Sequence, residues 1–202
     1  MGRVYKATHL ALDRVVALKL IDESGWAGPK ARAIVMDEAR AAAKLDDPRV
    51  VAVYDVGEDR GIPYIVMQWV DGESLEMRVR RGGALSPQEA LAIIKETAAA
   101  LKAAHRAGIV HCDVKPANIL IDTRGAVKLA DFGIARPAGS AAAPGAGSFH
   151  FMAPEQALGM APDPRSDLYA LAGTWYYALT AFPPFPGPPA EALIRHREEV
   201  AP

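Results

Sequence analysis

The chain has 202 residues, half of them hydrophobic, with a formal net charge of −1 and a single cysteine. That length can bury a substantial core in one or two domains, and the near-zero charge offers no basic surface for nucleic acid or an anionic membrane. Lone Cys112 excludes an internal disulfide and suits a reducing compartment. The best apolar run, Ile62 to Val70, is too short to span a membrane. Arg3 and Lys6 fall where the apolar segment of a signal peptide would have to build, and Lys6 occupies the position that a myristoylation motif beginning at Gly2 needs as Ser or Thr. A cytoplasmic protein is the expectation.

In chain order, Arg3 to Ala7 and Val15 to Ile21 alternate and are β-branched around Asp13-Arg14, which predicts a hairpin. Lys30 to Leu45 is Ala-rich with charges at helical spacing, and Pro48 follows its end. Val50 to Asp55 and Ile62 to Trp69 read as two further strands about a Gly/Asp turn. Ser86-Pro87-Gln88-Glu89 is a capping box opening a helix that Gly108 stops. Ile119 to Ile121 and Ala126 to Leu129 predict a short hairpin, and Pro137 to Gly147 a Pro/Gly/Ala-rich loop. Ser166 to Thr180 and Glu191 to Val200 predict the last two helices. The expected fold is α+β and two-lobed: a small antiparallel sheet with one helix over residues 1–67, a linker at 68–72, and a mainly helical lobe over 73–202.

Chemistry concentrates in Ile109-Val110-His111-Cys112-Asp113-Val114-Lys115-Pro116-Ala117-Asn118-Ile119-Leu120, followed by Asp131-Phe132-Gly133. Taken singly, any such Asp or Asn is a common turn or cap residue. Together, Asp113, Asn118 at the start of the hairpin and Asp131 at its end can converge on one magnesium–triphosphate. A loose, in-line phosphoryl transfer needs a carboxylate to orient the attacking hydroxyl, hard oxygen ligands for Mg2+ and a cation on the phosphates. Asp113 suits the first task, Asn118 and Asp131 the second, and Lys115 can reach the transferring group. Lys19 ends an apolar strand, where a buried charge needs a partner, and Glu38 is the candidate.

These motifs resemble the eukaryotic-like Ser/Thr protein kinase family. His111-Cys112-Asp113 stands where the family has His-Arg-Asp, and Asp131-Phe132-Gly133 matches its Asp-Phe-Gly. Val16-Ala17-Leu18-Lys19 is similar to the strand with the ATP-anchoring lysine, Ala153-Pro154-Glu155 to the close of the activation segment, and Asp167-Leu168-Tyr169-Ala170-Leu171-Ala172 to the start of the central helix. The resemblance implies ATP and Mg2+ as cofactors and a protein Ser or Thr hydroxyl as acceptor. It further implies Met67 at the back of the adenine pocket, the backbone of Gln68 and Val70 bonding adenine, and Val4, Ala17 and Leu120 sandwiching the ring. Ordinary core packing is the competing reading of Val4 and Ala17.

The chain also departs from the family pattern. Cys112 replaces the Arg that in many members holds a phosphorylated activation segment, and between Asp131 and Pro154 the only hydroxyl residues are Ser140 and Ser148. Activity independent of phosphorylation there is expected. Ser148 replaces the usual Thr, where its hydroxyl could bridge Asp113 and Lys115, and Ala172 replaces a Gly. Of the glycine-rich loop only Gly2-Arg3-Val4 remains, and the chain stops at Pro202. Incomplete ends are therefore expected, with Glu155 deprived of its usual Arg and apolar faces exposed on the large lobe. A binding module with impaired catalysis and a small-molecule kinase sharing the Asp-x4-Asn spacing remain as alternatives, the latter disfavoured by Ala153-Pro154-Glu155.

Overall fold

The computed structural model describes residues 3–11, 13–21, 39, 42–132 and 149–199. Gly2, Glu38, Gly133, Ser140, Ser148 and most of the helix expected over 30–45 lie outside them.

Four antiparallel strands form the small lobe: β1 (Arg3–His9), β2 (Arg14–Leu20), β3 (Val53–Asp59) and β4 (Ile62–Gln68), in the order β1-β2-β4-β3. The β3–β4 loop is Arg60-Gly61, both at positive φ (49° and 83°), the primed turn whose twist matches a tight hairpin. Register sets Val4 opposite Lys19, Lys6 opposite Ala17, Ala17 opposite Met67, and Lys19 opposite Ile65. With side chains alternating along each strand, Val4, Lys6, Ala17, Lys19, Ile65 and Met67 share one face. Ala17, Ile65 and Met67 are buried there with Val51 and Ala130, whereas Val4 is 54% exposed. Val4 is thus not core, while Ala17 is.

The strand expected from Val50 starts only at Val53. Arg49 to Val51 instead run beside the large lobe, with Leu129 N–H donating to the Arg49 carbonyl (2.7 Å) and Val51 N–H to the Leu129 carbonyl (2.9 Å). Tertiary pairing outranks the local β preference here.

After Gln68 the chain crosses into β5 (Gly72–Ser74), which pairs with β6 (Ile119–Asp122), itself paired with β7 (Val127–Leu129). A Cβ at Gly72 would overlap the Ile121 carbonyl, so this strand approaches its neighbour as only glycine allows. Ser74 caps α1 (Leu75–Gly82), its Oγ accepting from Met77 N–H at 3.2 Å. Neither β5 nor α1 was evident in the sequence.

Helix α2 (Pro87–Arg106) begins as expected, with Ser86 Oγ accepting from Glu89 N–H at 3.3 Å, and ends before Gly108 at φ 75°. The 3-10 segment Phe149–Phe151 and short α3 (Pro154–Ala157) lead to α4 (Pro164–Thr180), which starts two residues before the expected Ser166 because Asp163 caps it, and to α5 (Pro189–Glu198). Helices α2 and α4 pack together and α2 also packs on β7, in a core that includes Ile93, Leu101, Leu129, Leu171 and Tyr177. The result is the two-lobed α+β architecture, with residues 69–71 running between β4 and β5.

Candidate active site

The loop from His111 to Asn118 is anchored from below by a buried carboxylate. Asp167, on α4 and 1% exposed, accepts from the backbone N–H of His111 (2.8 Å, Oδ2) and of Cys112 (2.8 Å, Oδ1), and its Oδ2 lies 2.7 Å from His105 Nε2 at the end of α2. A carboxylate taken out of water needs this many donors. Two successive N–H groups on one carboxylate fix the loop's height above α4. Cys112 consequently takes φ 65°, a left-handed backbone that costs a non-glycine residue of order 1 kcal/mol and persists because its surroundings impose it.

His111 is fully buried between this anchor and the segment before Asp131. Its Nε2 lies 2.9 Å from the Ala130 carbonyl, its Nδ1 accepts from Asp113 N–H at 3.2 Å, and its ring centroid is 4.6 Å from that of Phe132. A carbonyl requires a donor and an N–H an acceptor, so this pair of bonds selects the neutral tautomer protonated at Nε2. Burial also pushes its pKa below the ordinary histidine value, against the pull of Asp167 and Asp113.

Above this base the polar groups converge. Lys115 Nζ donates to Asp113 Oδ2 at 2.7 Å, and Asn118 Nδ2 donates to the Asp113 carbonyl at 2.8 Å and to Oδ2 at 3.2 Å. The 3-10 turn Pro116–Asn118 folds Asn118 back onto Asp113. Both Lys115 and Asn118 are buried. Asn118 immediately precedes β6 and its carbonyl accepts from Ala130 N–H at 2.9 Å, so the β6–β7 hairpin brings Asp131 beside Asn118, as the sequence spacing predicts. Asp131 is itself left-handed, at φ 60°.

From the small lobe, Lys19 Nζ meets Asp131 Oδ1 at 2.8 Å. This pair links β2 of the small lobe to the segment after β7, and Asp131 is the carboxylate that meets Lys19 among the described residues. The pairing expected with Glu38 lies outside them. Met67 is buried in the small-lobe cluster with Ala17 and Ile65, and Leu120 and Val70 are half-buried against the same cluster. Gln68 N–H is taken by the Ala52 carbonyl at 2.8 Å.

The Ala153-Pro154-Glu155 end also touches the loop. Gln156 Nε2 donates to the Cys112 carbonyl at 2.9 Å, and Cys112, Asp113, Phe151, Met152 and Gln156 line a small pocket beside that loop. Glu155, expected to lack a partner, accepts a hydrogen bond from the Ser166 hydroxyl. The α4 cap turns Ser166 toward it, a contact that no helical periodicity discloses. Ala172 is exposed, so the methyl replacing a glycine hydrogen meets solvent. Sequence reasoning missed His105 and Gln156 as supports. A signal existed for Asp167, the carboxylate immediately ahead of the mainly apolar run Leu168 to Ala172.

Residues 1–200 match the family profile of the protein kinase domain, and the chain belongs to that family. It is 42% identical over 211 residues to a probable serine/threonine-protein kinase of Streptomyces coelicolor, covering 98% of this chain and 31% of that protein. It is 38% identical to the serine/threonine-protein kinase PrkC of Bacillus subtilis, covering 100% of this chain and 32% of that protein. The chain thus spans about a third of the length of these relatives. The crystal structure of the Mycobacterium tuberculosis PknI kinase domain superposes with a TM-score of 0.77 at 34% identity, over 92% of this chain and 70% of that one.

Proposed function

We propose that the chain is a catalytic domain that transfers the γ-phosphoryl group of ATP to Ser or Thr hydroxyls of protein substrates. The observation that carries this reading is the convergence of Lys115, Asn118 and Asp113 with the Lys19–Asp131 pair at the mouth of one crevice.

The donor set fits magnesium. Asn118 spends its Nδ2 on Asp113, so its Oδ1 is the atom that would serve as a ligand, and Asp131 adds a part-exposed carboxylate. Two hard oxygens are what Mg2+ takes from a protein when phosphates and water complete its shell. Bound Mg-ATP would supply the phosphoryl group and neutralise charge developing on its oxygens. Asp113 aligns the acceptor hydroxyl and takes its proton, held for this by Lys115 and Asn118. Lys115 offsets negative charge on the transferring group, and Lys19, with Glu38 as its proposed partner, orients the α- and β-phosphates. Val4, Ala17 and Leu120 enclose adenine against Met67, and Gly2 belongs to the loop over the phosphates. With the Gln68 N–H engaged, adenine would bond its carbonyl and the Val70 N–H. No described helix is long and apolar enough to cross a membrane, and the cytoplasm, where ATP is supplied, is the proposed place of work.

The test is transfer of labelled γ-phosphate from Mg-ATP to a generic Ser/Thr substrate, by the chain and by its Asp113→Asn and Asp131→Asn variants. Each substitution should lower turnover by at least about a hundredfold with the circular dichroism spectrum unchanged. Phosphatase pretreatment of the parent should leave its rate intact, since Cys112 offers no guanidinium to a phosphate. Parental turnover by Asp131→Asn would refute the assignment.

A further inference from the structure

Lys6 has no part in the scheme above, yet it shares the crevice-facing side of the sheet with Val4, Ala17 and Lys19. Its Nζ lies 4.9 Å from the centroid of the Trp69 ring. Lys6 is exposed, and no ion pair among the described residues competes for it.

Trp69 sits in the linker between Gln68 and Val70, the two residues proposed to bond adenine. Its ring packs with Val70 and Leu120 against the small-lobe cluster, and its Nε1 is buried without a hydrogen-bond partner among the described residues. A buried indole usually spends its N–H on an acceptor. This one is oriented by packing and by the ammonium over its face instead.

Topology gives the contact its meaning. Strand β1 is an edge strand, bonded to β2 alone, and Val4 on that strand is proposed to cover the adenine ring. Lys6, Ala17 and Met67 lie in register across three strands, a row that leads from the edge to the linker. A cation at the start of this row reaching the linker's aromatic ring ties the free edge to the hinge.

We infer that Lys6 and Trp69 form a cation–π clasp that closes the outer edge of the adenine pocket and acts as a positioning pair for the nucleotide. The inference rests on the ATP-binding reading above. A clasp of this kind raises nucleotide affinity without touching the transferring phosphate, so its loss appears in KM and leaves kcat alone.

The test uses the 202-residue chain. Titration calorimetry with a non-hydrolysable ATP analogue and Mg2+ is run beside steady-state kinetics on Lys6→Met, Lys6→Arg, Trp69→Leu and the Lys6→Met/Trp69→Leu double variant. Lys6→Met keeps the aliphatic stem and, at an exposed position, the fold. It should weaken analogue binding and raise KM for ATP about threefold to fivefold at unchanged kcat. Lys6→Arg should bind as the parent does, and the double variant should lose no more than Trp69→Leu alone. Parental affinity in Lys6→Met, additive losses, or a fall in kcat at unchanged KM would overturn the clasp. A parent that binds no nucleotide would sink the ATP reading and the clasp with it, whereas a binding parent matched by Lys6→Met sinks the clasp alone.

Discussion

Asp167 is the residue on which the site's geometry depends most, although it touches neither of the groups proposed to meet substrate. Its two oxygens collect the N–H groups of His111 and Cys112 and the His105 ring, all within 2.8 Å. Asp167→Ala would leave two N–H groups without acceptors beneath the loop and should cost about 3 kcal/mol, read from the urea midpoint. Asp167→Asn, which keeps one acceptor, should cost less. Stability should also depend on pH through His196, which is 2% exposed on α5 with its Nδ1 2.8 Å from the Tyr169 hydroxyl. Burial first, and neighbouring His150 and Arg195 further, depress its pKa below 6.5, although backbone hydrogen bonding at His150 and Phe149 works the other way. Buried His111 shifts in the same direction. Near pH 6 the unfolded chain therefore binds more protons than the folded one, so stability is full above the unfolded value and falls as pH drops below it. Urea midpoints taken between about pH 7.5 and pH 5 should decline, and His196→Gln should flatten the decline.

At the scale of elements, the β5–β6 pairing and the β6–β7 hairpin carry the site. The hairpin holds Asn118 and Asp131 side by side, and β5 fastens the linker to it. Gly72 is the narrow point, because any Cβ there meets the Ile121 backbone, and neither carbonyl nor strand can give way without breaking pairing. Gly72→Ala should lower stability by about 1–3 kcal/mol in chemical denaturation. It should also weaken nucleotide binding, since the linker would shift with β5. A parental denaturation midpoint would show that the strand has slack the structure does not display.

Considered as a whole, the molecule presents an apolar strip on its large lobe. Leu168, Trp175 and Leu179 lie on one side of α4 at helical spacing, each at least 36% exposed, and Phe182 just beyond the helix is 66% exposed. Scattered apolar residues are normal, but a continuous stripe invites association. Trp175→Lys with Leu179→Glu should reduce concentration-dependent light scattering without altering affinity for the ATP analogue. Scattering that persists unchanged would place the sticky surface elsewhere.

Local patterns decided a good deal. The capping box at Ser86, the stop at Gly108, the hairpin spacing between Asn118 and Asp131 and the alternating strands are short-range chemistry, so each was legible in the chain, and with the motif order they defined the fold and the candidate residues of the large lobe. Tertiary structure alone decided which groups meet. That Asp167 rather than a nearby residue holds the His111 to Asn118 loop, that Lys19 reaches Asp131, that Ser166 satisfies Glu155 and that Arg49 to Val51 line β7 instead of extending β3 all depend on segments far apart in sequence. Side-chain periodicity reports which face of an element is apolar. It carries no information about which distant donor will fill a buried acceptor, and that choice is made by packing.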